Sequence, residues 1–304
     1  MRILVTGGTV FVSKSIALYF VSRGDEVHVL NRGTKEQVKG CIPIIADRSC
    51  LGDILKNTHF DAVIDVCAYK HDDVKNLLNA LGEFDDYILI SSSAVYPETL
   101  SQPFKETQPV GENSIWGAYG TNKILAENYL LNKCPNAYIL RPPYLYGPWE
   151  NVYREPFVFE CAEKHRKFYI PNDGKMKLQF FHTTDLCKVI ETITTAHPAN
   201  HIFNVGNKQL TDINTFVELC YKAVGVNLEK VYITNHPNQR DYFSFYDYEY
   251  SLDVTLMENL LPVQIPLEQG LIECYENYEN NKSNVIVKPF IDFIDRNFNW
   301  ITDK

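Results

Sequence analysis

"MRILVTGGTVFVSKSIALYF", residues 1–20, decides how the rest of the chain is read. Residues 2–6 are a short apolar run with β-branched members, the pattern of a strand. Gly7 and Gly8 follow at once. From about Ser13 to Ser22 an apolar stretch has helical character, and "RGD" (23–25) stops it. A strand that feeds a helix through a glycine turn brings free backbone N–H groups to the positive end of that helix, where phosphate can be held. The same arrangement also occurs as an ordinary strand–turn–helix that binds nothing. The remaining sequence has to separate the two.

Working outward, "EVHVLN" (26–31), "CIPIIAD" (41–47), "DAVIDV" (61–66), "DYILISSS" (86–93) and "NAYILRPPYLYGP" (136–148) read as five further strands. "DDVKNLLNAL" (72–81) and "SIWGAYGTNKILAENYLLNK" (114–133) read as helices between them. Strands alternating with helices imply βαβ units joined by right-handed crossovers. The near-continuous apolar strands suit a parallel sheet covered on both faces. The fold expected is α/β, a Rossmann-like doubly wound parallel sheet. After Pro148 the texture changes and aromatics become commoner. The division expected is a dinucleotide-binding domain over 1–148 and a smaller α/β substrate-binding part over 149–304. Segments at about 180–206 return to the first sheet. The tyrosine-rich "FYDYEY" (245–250) reads as a surface wrap, with packing and a hold on a substrate base both open. The cleft between the two parts is the default place for a ligand.

Bulk properties exclude several classes. The chain has 304 residues, 45% hydrophobic and 22% charged, which is ordinary for a globular protein with a sizeable core. The net charge of -9, with no run of Lys and Arg, argues against nucleic acid as partner. None of the eight cysteines forms a CxxC pair or stands at metal-ligand spacing with His, so no metal is expected and a reducing cytoplasm fits. No stretch reaches the roughly 18 apolar residues of a membrane span.

The loop itself departs from a three-glycine pattern. Gly7 and Gly8 can make the tight turn, but Val10 stands where close approach to a pyrophosphate often requires glycine. Ser13 stands where a third glycine allows helix–strand packing. A valine can still offer its N–H, and serine is small. At the end of the second strand the acidic residue that would grip a ribose 2′-OH is missing. Asn31 and Arg32 stand there, and an Arg at this place accommodates a 2′-phosphate, which tilts the reading from NAD towards NADP.

A second constellation is more specific. Tyr119 and Lys123 are four residues apart and share one helix face. Ser92 lies 27 residues before Tyr119, at the C-terminal end of a strand, where open α/β sheets form their ligand crevice. A neighbouring ammonium favours phenolate and lowers a tyrosine's pKa from about 10. The set can therefore move a proton while hydride moves to or from a nicotinamide. His182 in "FFHTTD" reads as structural.

These residues carry a resemblance. "VTGGT", "ISSSAVY", "YGTNK", "LRPPYLYGP", "FFHTTD" and "FNVGN", in order from residue 3 to about 206, resemble the extended short-chain dehydrogenase/reductases, the NAD-dependent epimerase/dehydratase family. "GGTVFVS", "NRGT", "ADR" and "DAVIDVCAY" are similar to an atypical GGxxxxG subgroup, whose members are variously labelled reductase, sugar dehydratase or mRNA-binding protein.

The resemblance implies Ser92, Tyr119 and Lys123 as the catalytic set. It implies Gly7, Gly8, Thr9, Phe11 and Val12 along the pyrophosphate, and Asn31, Arg32 and Asp47 at the adenosine half. Cys67 and Ala68 would pass beneath the cofactor, and Pro143 and Tyr144 would flank the nicotinamide. Ser93, Arg240 and Asp241 would meet substrate, the last two at its diphosphate. The activity implied is an NAD(P)-dependent epimerase or keto-reductase acting on a nucleotide-activated sugar. The 4,6-dehydratase reading loses ground, because that chemistry in the family uses an Asp–Glu pair directly after the Ser or Thr, and Ser93 and Ala94 stand there. The alternative is a non-catalytic dinucleotide- or RNA-binding protein on the same fold. A homodimer through the helices at 72–81 and 118–133 is also implied, with Ile124, Leu125, Leu130 and Leu131 more apolar than one sheet face requires.

Overall fold

In the computed structural model, which describes residues 1–298, the chain begins β1 (Arg2–Thr6), α1 (Phe11–Ser22), β2 (Glu26–Asn31), β3 (Ile42–Ile45), β4 (Phe60–Asp65), α2 (His71–Ala80) and β5 (Phe84–Ile90). It continues α3 (Ala118–Lys133), β6 (Tyr138–Arg141), β7 (Tyr144–Tyr146), α4 (Glu155–Glu163), β8 (Phe168–Pro171), β9 (Lys177–Leu178) and β10 (Phe180–His182). Next come α5 (Thr183–Ala196), β11 (Ile202–Asn204), β12 (Thr211–Asp212), α6 (Ile213–Val224) and β13 (Lys230–Ile233). The described chain closes with α7 (Thr255–Glu258), α8 (Leu267–Asn281) and α9 (Phe290–Asn297).

Seven strands form one parallel sheet in the order β11–β6–β5–β4–β1–β2–β3. The order steps from β1 outward to β3, then restarts with β4 on the other side of β1. This is the doubly wound arrangement, and its switch point lies between β1 and β4. Leu4, Val63, Leu89 and Ile139 on one face bury Val74 and Leu77 of α2 and Ala126 and Leu130 of α3. Right-handed crossovers place α1 on the opposite face, where it packs beside α5.

The residues group into two compact units. One comprises Met1–Leu145, Phe180–Lys208 and Ser251–Gln264; the other comprises Tyr146–Gln179, Gln209–Tyr250 and Ile265–Lys304, of which 299–304 lie outside the described residues. In the second unit β8 pairs with β13 in parallel and β9 with β12 antiparallel. Its core is aromatic, with Phe157, Phe168, Tyr221 and Phe243 fully buried.

Three local expectations need correction. The helix expected from Ser114 begins at Ala118, because Gly117 takes a φ of +51° and the Asn113 side chain accepts from the N–H groups of Ile115 and Trp116. The "FYDYEY" segment does not simply wrap the surface: Phe245 and Tyr250 are buried, and the Phe245 ring meets Phe216 edge-on at 5.4 Å. Leu130, offered for a dimer face, is fully buried in the chain's own core, whereas Leu125 is 48% exposed.

A buried polar chain links α3, β6 and β11 in the first unit. Glu127 pairs with Arg141 at 2.6 Å and accepts from Ser91 Oγ; Arg141 also donates to Tyr96 Oη at 2.9 Å, which donates to Asn204 at 2.8 Å. All five residues are buried. Removing one partner of such a pair strands the other charge. Arg141→Met is expected to cost about 3–5 kcal/mol, and adding Glu127→Met to recover much of that. Chemical denaturation of the single and double variants checks this.

Candidate active site

The carboxyl ends of the strands beside the switch point carry the polar residues. Thr6 ends β1 and Asp65 ends β4, one position beyond the Val5–Ile64 pair. Gly7 follows with φ +89°, and a Cβ there would lie 2.8 Å from both Cys67 Sγ and Ser13 Oγ. Gly8 has φ +78°, and its Cβ would sit 2.3 Å from Val29. Both positions therefore exclude any side chain. Ser13 replaces a glycine without harm because its hydroxyl turns back to donate to the Val10 carbonyl at 2.9 Å. The first turn of α1 has neither a capping side chain nor an acidic residue. Thr9, Phe11 and Val12 are half-buried there. Open N–H groups at a positive helix end fit a pyrophosphate.

Lys123 is the centre of the arrangement. It is 2% exposed, and its Nζ donates to the carbonyls of Ala68 at 2.7 Å and Ile90 at 2.9 Å. Ile90 is the last residue of β5, and Ala68 lies three residues past the end of β4. Burial pushes the Lys123 pKa down to about 8, against the raising effect of Asp65 and Glu127. The Tyr69 and Tyr119 ring centroids lie 5.3 and 6.0 Å from the ammonium. Ser92 caps the short 3₁₀ turn Ser93–Val95, its Oγ accepting from Ala94 N–H at 3.2 Å. Ser93 is buried and its N–H donates to the Pro142 carbonyl at 2.9 Å.

Gly120 lets α3 reach that turn, since a Cβ there would stand 2.3 Å from the Ala94 carbonyl oxygen. Ser92, Tyr119 and Lys123 are thereby brought together. Tyr119 keeps 42% of its surface exposed, yet desolvation at its hydroxyl raises its pKa above the usual phenol value. The neighbouring Ser92 hydroxyl only partly offsets this. The lowering by Lys123 anticipated from spacing does not prevail, because desolvation is the largest effect at the hydroxyl. With only its protein neighbours Tyr119 holds its proton at neutral pH.

The outer positions are less engaged with one another. Asn31 donates to the Gly7 carbonyl at 3.1 Å and to Gln37 at 2.9 Å, so it braces the glycine loop. Arg32 and Asp47 are exposed, and the Ser49 hydroxyl and N–H hold the Asp47 carboxyl below its usual pKa. Pro143 and Tyr144 are half-buried, with the Tyr144 ring 6.4 Å from Trp116. Arg240 and Asp241 belong to the second unit. There the Arg240 guanidinium lies 4.5 Å from the Tyr246 ring centroid, and Asp241 pairs with His236 at 2.8 Å. His182 caps α5 through its Nδ1, and burial holds it neutral with a pKa of about 4.

Sequence reasoning passed over Thr6, Arg48, Asp65, Tyr87 and Gly120 as site residues. The signal was present, since Thr6 and Asp65 are polar residues closing otherwise apolar strands and Arg48 stands in "ADR". The fully buried Asp65 accepts from Arg48 Nη1 at 2.6 Å and from Arg48 Nη2, from Tyr87 Oη at 2.6 Å and from Thr6 Oγ1 at 2.8 Å. Burial alone would raise its pKa, but the Arg48 guanidinium holds it below the usual carboxylate range.

A model of the NAD dependent epimerase/dehydratase family matches residues 3–206. The chloroplast stem-loop binding protein of 41 kDa b from Arabidopsis thaliana is 25% identical over 301 residues, covering 90% of this chain and 78% of that protein. Among solved structures, UDP-glucose 4-epimerase from Thermotoga maritima with UDP-glucose has a TM-score of 0.75 at 20% identity, covering 93% of this chain and all of the other. UDP-glucuronic acid 4-epimerase from Bacillus cereus, in complex with UDP-glucuronic acid and NAD, has a TM-score of 0.71 at 18% identity and covers 92% of this chain and 99% of the other.

Gly120→Ala tests the close approach. Overpacking against backbone is expected to cost about 1–3 kcal/mol and to move Tyr119 away from Ser92. A denaturation midpoint reads the first effect. The second appears as a loss of the Ser92 influence on the Tyr119 phenol titration.

Proposed function

The chain belongs to the NAD dependent epimerase/dehydratase family, within the extended short-chain dehydrogenase/reductases, and from that premise we propose that it is an NAD(P)-dependent epimerase or keto-reductase acting on a nucleotide-activated sugar. One observation carries the reading. A buried ammonium, Lys123, is seated on two strand-end carbonyls with Tyr119 and Ser92 beside it at the mouth of the sheet.

In this reading Gly7, Gly8, Thr9, Phe11 and Val12 hold the pyrophosphate, and Asn31, Arg32 and Asp47 meet the adenosine half. Cys67 and Ala68 run beneath the cofactor, Pro143 and Tyr144 flank the nicotinamide, and Lys123 holds the nicotinamide ribose. Bound nicotinamide supplies the hydride acceptor or donor and, when oxidised, a positive charge near the phenol. Ser92 hydrogen-bonds the substrate oxygen at the reacting sugar carbon, C4. Tyr119 gives its proton to that oxygen as the ketone is reduced and takes a proton from the hydroxyl as the alcohol is oxidised. Ser93 and, at the diphosphate, Arg240 and Asp241 are the further substrate contacts. Two copies are proposed to pair through α2 and α3, with Leu125 at the contact; light scattering separates that dimer from a monomer.

The second reading, a non-catalytic RNA- or dinucleotide-binding protein, draws on the similarity to the chloroplast stem-loop binding protein. The net charge of -9 opposes it. Stem-loop RNA binding at physiological salt, with no binding of NAD(P)H, decides in its favour.

Two outcomes follow from the enzymatic reading. Arg32 is free of the brace made by Asn31, so NADPH is expected to bind more tightly than NADH. Arg32→Ala should remove about tenfold of NADPH affinity and leave NADH unchanged. Titration calorimetry reads both, and a preference for NADH in the wild type contradicts the assignment. With a nucleotide-sugar substrate found by thermal-shift screening, Tyr119→Phe should slow single-turnover hydride transfer about 10²–10⁴-fold with little change in stability. Turnover at the wild-type rate removes Tyr119 from the mechanism.

A further inference from the structure

The Asp65–Arg48 pair lies just behind the residues assigned to chemistry, and its connections run to both ends of the proposed cofactor site. Thr6 Oγ1, while donating to Asp65, accepts from the N–H groups of Val66 at 2.9 Å and Cys67 at 3.0 Å. Cys67 Sγ returns a contact to the Thr6 carbonyl at 3.5 Å. One hydroxyl thus pins the turn after β4, and the next carbonyl in that turn, Ala68, seats the Lys123 ammonium. Thr6 also immediately precedes Gly7, whose missing Cβ leaves room for Cys67 Sγ. Arg48 extends the clamp by donating through Nε to the Asp73 carbonyl in the first turn of α2 at 2.8 Å. Asp65 uses both oxygens in these bonds and is 0% exposed, so it has no freedom to reorient.

The charges facing Lys123 come from every element around it. Asp65 from β4 acts most strongly to keep it cationic, Glu127 on its own helix adds to it, and Arg48 opposes; the Cys67 thiol, pushed up by burial, is uncharged there. Glu127 is committed to Arg141 and Ser91. The Tyr69 and Tyr119 rings present their faces to the ammonium.

Taking Lys123 as the cofactor-holding residue proposed above, we propose that Asp65, clamped by Arg48, is its positioning residue: through Thr6 it fixes the carbonyl seat of the ammonium, and it supplies the negative charge that keeps Lys123 cationic. The proposal requires the charge of Asp65, and not merely its hydrogen bonds, to act on Lys123. Asp65→Asn keeps an acceptor for Thr6 but removes the charge. Tyr87→Phe removes one hydrogen bond to Asp65 and leaves its charge and its Arg48 partner in place. A purely structural Asp65 would loosen the fold in both variants without moving Lys123 in Asp65→Asn alone.

The experiment titrates Lys123 directly, by NMR of lysine-13Cε-labelled protein, with the resonance assigned by Lys123→Met. The wild-type midpoint is expected near 8. Asp65→Asn should lower it by about one pH unit or more, and Tyr87→Phe should leave it at the wild-type value. If Asp65→Asn does not fold, the Asp65→Asn/Arg48→Met double variant, which strands no buried charge, carries the test with a downward shift. A midpoint that stays at the wild-type value in folded Asp65→Asn or in the double variant, or equal shifts in Asp65→Asn and Tyr87→Phe, overturns the proposal. NADPH binding is measured separately on the wild type. Its absence there would sink the functional reading while the Asp65→Asn shift still stands, and binding with an unmoved Asp65→Asn midpoint would sink the positioning role alone.

Discussion

Two carbonyl oxygens, of Ala68 and Ile90, hold one ammonium out of water. This contact ties β4, β5 and α3 into a single arrangement. An ammonium buried to 2% exposure is costly unless its donors are met and negative charge is close. The parallel sheet meets both needs only at strand ends, where carbonyls are released from the ladder. The position of Lys123 therefore requires β4 and β5 to end side by side and α3 to lie close above them. Gly120 provides the second condition, because any side chain there would collide with the Ala94 carbonyl. Tyr119, one residue earlier on the same helix, is carried to Ser92 by the same approach.

The sheet and the pairing of Tyr119 with Lys123 were legible because they rest on periodicity. Apolar runs of strand length separated by helices constrain topology strongly, and an i, i+4 spacing on a helix fixes a shared face. The clamp beneath Lys123 was not legible as a site. Arg48, Asp65, Tyr87 and Thr6 come from four separate places in the sequence; the pairing of β1 with β4 and of β4 with β5 aligns three of them, and the segment after β3 brings in Arg48. The sequence also invited the wrong sign for Tyr119. Spacing places an ammonium near a phenol, but it cannot show that desolvation prevails at the hydroxyl. The return of Ser251–Gln264 to the first unit was likewise invisible, because that segment reaches it through contacts such as Asn204 Nδ2 to the Asp253 carbonyl at 3.2 Å rather than through a strand of the sheet.

The glycine loop shows how a motif tolerates substitution when its physical requirement is met another way. Gly7 and Gly8 carry positive φ angles and face Cys67, Ser13 and Val29 at distances that leave no room for a Cβ. Position 13 makes a weaker demand. A serine fits because its hydroxyl bonds to Val10 in the same turn and needs no other partner. Counting glycines therefore misjudges the loop, whereas asking which positions need a left-handed φ or a bare Cα identifies the two that matter.

The first unit contains two buried ion pairs at different depths, and they differ in what they can influence. Glu127–Arg141 is 3–4% exposed at its side chains and closes on Ser91, Tyr96 and Asn204, so its charges are satisfied within the core. Asp65–Arg48 is asymmetric: the carboxylate is fully buried while the guanidinium keeps 16% exposure. A buried carboxylate partnered by a partly hydrated cation leaves net negative potential on its inner side, because solvent screens the outer charge more than the inner one. Lys123 feels the Asp65 charge more strongly than the opposing Arg48 charge. The asymmetry of the pair is what lets a neutral-looking clamp act as a source of negative charge for a third group.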